Sequence, residues 1–249
     1  MSTEPSDVLR RAEDLAERAS RRGVATATAF LTPAEQLRLR RAFEHTDAQM
    51  LFVGGGGDCE RQCAVFLPEY MAPEDYDPAG LIGCVRFKSF FGAPGHRDYL
   101  GAALGLGIGR ERLGDIRIRG EDAWIFCMET VAPLLLTLER VGRWTVKAAT
   151  CPLSDVPPEE YKVETETFTV QSLRLDAVTG GMFRLSRSAA AEQIRLGLVS
   201  LNYEVCQSVD AAVREGDVIS LRGRGKGSVA EIGGRSKKDR LFVTCRRRI

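Results

Sequence analysis

The chain has 249 residues, 44% hydrophobic and 28% charged, with a formal net charge of +1. That is enough apolar material for one large core or two to three small ones, and it excludes a globally disordered chain. No apolar run approaches the roughly 20 residues of a membrane span, and residues 1–22 lack the apolar centre of an export signal, so a cytoplasmic protein without membrane contact is expected.

Residues 7–22 read as a polar helix with Val8, Leu15 and Ala19 on one side. Thr32-Pro33 starts a second helix, to about Phe43, because Thr accepts an orphan backbone N–H and Pro fits the first turn. Residues 50–53 form an apolar strand that stops at Gly54-Gly55-Gly56-Gly57, and residues 62–67 form its hairpin partner. Residues 68–78, with three prolines and several acids, read as a connector at a domain boundary. A strand over 81–91, a helix over 96–106, strands over 115–119 and 123–128, a helix over 129–141 and a strand over 144–149 follow. That β-α-β-β-α-β order is the split pattern of ferredoxin-like domains, which include common RNA-recognition folds.

Residues 151–166, with Pro152, Pro157 and Pro158, read as a second linker. Helices are expected over 172–183 and from Leu185-Ser186 to about Leu196, the latter closed by Gly197. Three short strands complete the chain over 199–203, 217–222 and 240–246; in the last, Leu241, Val243 and Cys245 alternate with Phe242, Thr244 and Arg246. The expected fold class is multi-domain α+β. A small α/β domain covers residues 1–78, a ferredoxin-like (RRM-like) central domain 79–168, and a third domain 172–249.

Charge is unevenly spread. Residues 180–249 hold 14 Lys/Arg against 7 Asp/Glu, whereas residues 1–179 hold 21 against 27. A basic module behind an acidic body points to a polyanionic partner. Seven cysteines, at positions 59, 63, 84, 127, 151, 206 and 245, are an odd number and read as reduced thiols. Only His45 and His96 accompany them, and no second pair with ligand spacing follows Cys59 and Cys63, so neither a metal nor another cofactor is expected.

Arg184-Leu185-Ser186-Arg187-Ser188-Ala189-Ala190-Ala191-Glu192-Gln193-Ile194 leads into Gly197-Leu198-Val199-Ser200-Leu201-Asn202, and then Glu215-Gly216-Asp217-Val218-Ile219-Ser220-Leu221-Arg222-Gly223. The series resembles the S4 domain, a small RNA-binding module. The resemblance implies a helix pair and a curled sheet that present a basic groove to structured RNA. Arg184, Ser186, Arg187 and Ser188 would then sit at the start of the second helix, where N–H groups, hydroxyls and guanidinium forks suit phosphate. Arg195 lies two turns further on nearly the same face, and Asn202 matches the turn asparagine. Ala189 stands where many members carry lysine, so one phosphate contact is missing. Arg222-Gly223-Arg224-Gly225-Lys226-Gly227 reads as a loop that could approach a sugar–phosphate surface, or as a flexible hairpin with solvated charges. Lys237, Lys238 and Arg246-Arg247-Arg248 add non-specific charge.

The string from Gly95-His96-Arg97-Asp98-Tyr99 through Gly105-Leu106-Gly107-Ile108-Gly109-Arg110-Glu111-Arg112 to Ile116 closely resembles the central motif of YlmH-like proteins. Residues 30–36 and 172–176 fit the same family. The resemblance implies a non-catalytic, ribosome-associated RNA-binding protein that contacts rRNA and tRNA on the large subunit in quality control of stalled nascent chains. It would act as a monomer, and a looser link to cell division accompanies it. Two readings of the string stand: His96, Arg97 and Tyr99 cluster with Arg110 and Arg112 to stack on and contact RNA, or Gly105 and Gly107 end a helix and Tyr99 is core.

Three motifs resemble enzyme signatures. Gly105 to Gly109 follows a helix, whereas dinucleotide glycines follow a strand. Gly54 to Gly57 lacks the Lys-Ser/Thr of a phosphate loop. Arg174-Leu175-Asp176-Ala177-Val178-Thr179-Gly180-Gly181 resembles the catalytic aspartate motif of pseudouridine synthases, but only 73 residues follow Asp176. Catalysis is not expected; an RNA-modifying enzyme and a cell-division scaffold are the alternatives.

Overall fold

A computed structural model describes residues 5–56, 58–159 and 163–248; Gly57 of the expected glycine turn lies outside them. The chain divides into two compact units, residues 1–159 and 160–249. The fold is mixed α and β with three sheets.

In the first unit, α1 (Pro5–Arg22) and α2 (Pro33–Phe43) pack on a sheet of β1 (Thr26–Leu31), β3 (Gln62–Leu67) and β2 (Gln49–Val53), in that order. Ala12, Ala19, Leu31, Leu39 and Phe66 form the core between them. The N-terminus of α2 is a capping box: Thr32 Oγ1 accepts from Glu35 N–H at 3.4 Å, and Glu35 Oε2 accepts from Thr32 N–H at 2.6 Å. β1 was not anticipated, and it pairs with β3 on the side opposite β2.

A second sheet has the order β5-β6-β4-β8-β7, antiparallel throughout: Leu113–Arg119, Asp122–Met128, Ile82–Ser89, Trp144–Thr150 and Arg140–Val141. One face buries Val85, Phe87, Ile125 and Val146 against α3 (His96–Gly105) and α4 (Ala132–Leu135). Each such side chain removed from water contributes about 1.5–3 kcal/mol. The helix expected over 129–141 is corrected to this four-residue α4, because Arg140 and Val141 pair with Thr145 and Trp144 in a hairpin closed by Gly142 at φ 58°. The boundary near residues 68–78 separates two sheets but not two bodies: Phe30 and Cys63 share a core with Ile82, Cys84, Trp124 and Phe126. Arg61 staples the same junction, donating from Nε to the Leu113 carbonyl at 2.9 Å and from Nη2 to the Phe30 carbonyl at 3.0 Å.

The second unit is a six-stranded sheet, order β11-β10-β12-β13-β14-β9, with α5 (Leu175–Met182) and α6 (Arg187–Arg195) packed on it. Its strands are β9 (Val163–Val170), β10 (Val199–Leu201), β11 (Glu204–Val205), β12 (Val218–Leu221), β13 (Gly225–Arg235) and β14 (Leu241–Arg248). Two expectations are corrected here. The linker over 151–166 ends in β9, which pairs along its whole length with β14. The Arg222–Gly227 loop is a turn running into the 11-residue β13. Leu175, Val178, Met182, Phe183 and Ile194 meet Ile219, Val229 and Val243 in the core.

Candidate nucleic-acid interface

The turn between α5 and α6 collects arginines from four elements. Ser186 caps α6, its Oγ accepting from Ala189 N–H at 3.2 Å, and it hydrogen-bonds the Ser188 hydroxyl at 3.0 Å. Arg184, held at φ 54°, donates to Glu166 and Glu164 of β9, each at 3.1 Å. Those two carboxylates favour its charged form and push its pKa up, the Glu166 hydrogen bond first. Arg247 on β14 reaches Glu164 at 2.6 Å and lies over the Phe183 ring at 6.0 Å. The Arg247 hydrogen bond, with the Arg184 charge, holds the Glu164 carboxyl below its usual pKa. Arg224 donates to the Phe183 carbonyl at 3.3 Å.

On the other side of the turn, Arg187 grips Asp176 of α5 at 2.9 Å, and Arg174 reaches the same carboxylate at 3.4 Å. Four guanidinium groups therefore share three carboxylates, with Arg224 on a backbone carbonyl beside them, and each guanidinium has five N–H donors against an acceptor-only partner. The arrangement holds forked donors at fixed spacing with donors to spare, which suits phosphate oxygens.

The other residues expected at the interface are not all brought here. Arg195 ends α6 and is exposed; Arg222 is exposed in the turn before β13, and Lys226 is half-buried on it. Lys237 and Lys238 sit in the β13–β14 turn, at the far end of β13 from Arg224. At 11 residues, that strand separates them by roughly 30 Å. Asn202, at φ 51°, spends its amide locally: Nδ2 donates to Asp217 at 2.8 Å and Oδ1 accepts from Val218 N–H at 3.0 Å. Asp176, of the enzyme-like motif, lies in the ion pair with Arg187.

In the first unit the central string is divided. Tyr99 is 1% exposed and packs at 5.6 Å from Phe87, so the core reading holds and stacking on RNA is ruled out for it. Burial pushes its phenol up to about 12. Arg110 is half-buried, donating to the Leu113 carbonyl at 2.6 Å and that of Gly114 at 3.2 Å. Burial, then the charge of Arg61, lowers its pKa to about 10. His96, Arg97 and Arg112 are exposed, and Gly107, at φ 78°, follows the end of α3. Among the described residues no His, Cys, Asp or Glu group gathers as a metal would require. Among the described residues no helix is long and apolar enough to cross a membrane.

Sequence reasoning missed Glu164 and Glu166, which fell in the expected linker, and Arg247's place beside them. The alternation of Glu with Thr from Glu164 to Thr169 was the signal that could have identified a strand there.

Comparison with known proteins gives three findings. The family model described as "Putative RNA-binding domain in YlmH" matches residues 73–155. The "Ribosome-associated protein quality control protein P2" of Bacillus subtilis (strain 168) is 36% identical over 222 residues, spanning 88% of this chain and 86% of that protein. The solved structure of "Cell division protein ylmH from Streptococcus pneumoniae" aligns at a TM-score of 0.49 and 20% identity, covering 62% of this chain and 95% of that one.

Proposed function

This chain belongs to the YlmH-like family, and we propose that it binds structured RNA on the ribosome and acts there by occupancy, without making or breaking bonds. The arginine cluster at the α5–α6 turn is the observation that carries this reading: five cations around one capped helix start, four of them held by three carboxylates that phosphates can replace. In this reading residues 172–249 are an S4 domain and residues 79–168 an RRM-like domain. The RNA is rRNA and tRNA at the large subunit, and the task is quality control of stalled nascent chains. That task is taken from the name of the Bacillus subtilis relative. The protein acts as a cytoplasmic monomer, and two linked RNA contacts raise each other's effective concentration.

Cosedimentation with ribosomal subunits across a salt series tests the reading. The wild type should pellet with the large subunit, and Arg184→Ala and Arg224→Ala should each reduce the slope of log affinity against log salt by just under about 1. Pelleting that is insensitive to salt and to both substitutions would sink it.

A further inference from the structure

The five-stranded sheet turns one face to α3 and α4. Its other face is divided. At one end Cys84 and Phe126 are buried with Phe30, Cys63 and Val156, so the middle of the platform is closed to a base. At the other end the strand register assembles a row across four strands: Arg119 opposite Asp122, Asp122 opposite Lys88, and Lys88 opposite Lys147. Arg119, Lys88 and Lys147 are exposed. The one carboxylate of the row, Asp122, is already engaged by Arg86, whose Nε and Nη2 donate to it at 3.0 and 2.9 Å.

Lys88 and Lys147 face each other with no acceptor on either among the described residues. Like charges directly opposite in a sheet destabilise it. The pair therefore works against the fold until a polyanion lies across it.

One aromatic ring stands beside this row. Phe90 is 48% exposed. Its N–H donates to the Thr145 carbonyl at 3.4 Å, which carries the alternation of β4 one residue past Ser89 and puts Phe90 on the side of Lys88. An exposed ring beside a cationic strip is a means by which unpaired nucleotides are held, their bases stacked and their phosphates neutralised.

We propose that the open half of this sheet binds an unpaired RNA segment, with phosphates on Lys88, Lys147 and Arg119 and a base stacked on Phe90. The proposal rests on the RNA-binding reading above and adds the strandedness of the ligand and the residues that hold it.

Fluorescence anisotropy with the full chain and two probes, a short oligouridylate and a blunt RNA hairpin, tests it. Lys88→Gln/Lys147→Gln should bind oligouridylate about ten-fold more weakly and lower the salt slope by about 1.4, two contacts at ~0.7 each. Phe90→Ala should weaken oligouridylate binding about ten-fold with the slope unchanged. Hairpin binding, assigned to the arginine cluster, should be unaffected in both. Oligouridylate binding equal to wild type in these variants overturns the proposal while leaving the RNA-binding reading intact. A lysine effect without a Phe90 effect also overturns it, and points to an acidic protein as the occupant. A wild type that binds neither RNA sinks both.

Discussion

Arg117 in the first unit and Arg187 in the second each bind one carboxylate, yet Arg117 is 9% exposed and Arg187 55%. Arg117 lies under the Asp58 carboxylate, donates to the Pro157 carbonyl at 2.9 Å and sits 5.1 Å from the Phe126 ring centre. Burial alone would raise the pKa of Asp58, but the Glu159 N–H and the Arg117 charge outweigh it and hold the carboxyl low. Arg61 and Arg110 likewise donate to backbone carbonyls inside the first unit. In the second unit Arg184 and Arg187 stay at the surface and share acceptors with Arg247 and Arg174. An arginine closed in beside its carboxylate is structural; one with spare donors at the surface can exchange partners.

The contrast can be broken by experiment, first through pH. Burial pushes Cys59, Cys63 and Cys127 of the first unit up to about 12, as it does Cys245 of the second, and raises Cys84 further. Unfolded thiols ionise near their ordinary value of 9. Between that pH and 12 the unfolded state has given up protons that the folded state keeps, so stability falls as pH rises. The expected loss is on the order of 1.4 kcal/mol per thiol per pH unit above 9. The first unit, with four such thiols, should lose several times more than the second. Trp124 and Trp144 both lie in the first unit, so tryptophan fluorescence follows its unfolding while circular dichroism follows both. Coincident alkaline transitions would remove the distinction.

Arg117→Ala should cost about 3 kcal/mol in urea unfolding, because it strands Asp58 in a partly buried site. A loss below about 1 kcal/mol would place Arg117 with exposed ion pairs. Gly55→Ala should cost about 2 kcal/mol, since a Cβ there would stand 1.9 Å from the Phe126 ring; wild-type stability would mean that the ring yields freely.

Local chemistry was readable where one residue type has one use. Thr32 and Pro33 announced the start of α2, and Leu241, Val243 and Cys245 announced β14. β13 was hidden because its glycines look like a loop. Yet Gly227 is required inside the sheet, where a Cβ would lie 2.9 Å from Met182 Sδ and 3.0 Å from the Arg246 carbonyl. β9 was hidden because its alternation of Glu and Thr carries little apolar signal until β14 pairs with it. Around the α5–α6 turn nothing local says that Glu164 arrives from twenty residues upstream to meet Arg184. Tyr99 was ambiguous for the same reason, since its burial depends on Phe87 from a different strand.

β9 lies at the margin of its sheet, paired on one side with β14. An unpaired strand margin invites a second chain to add to it, and charged side chains are a common defence. Glu164 and Glu166 supply that defence, because a second copy of β9 laid alongside would bring acid toward acid. The carboxylates that give way to phosphate at Arg184 in the proposed function thus also act against self-aggregation. Replacing them to strengthen RNA binding should therefore lower the concentration at which the protein stays in solution.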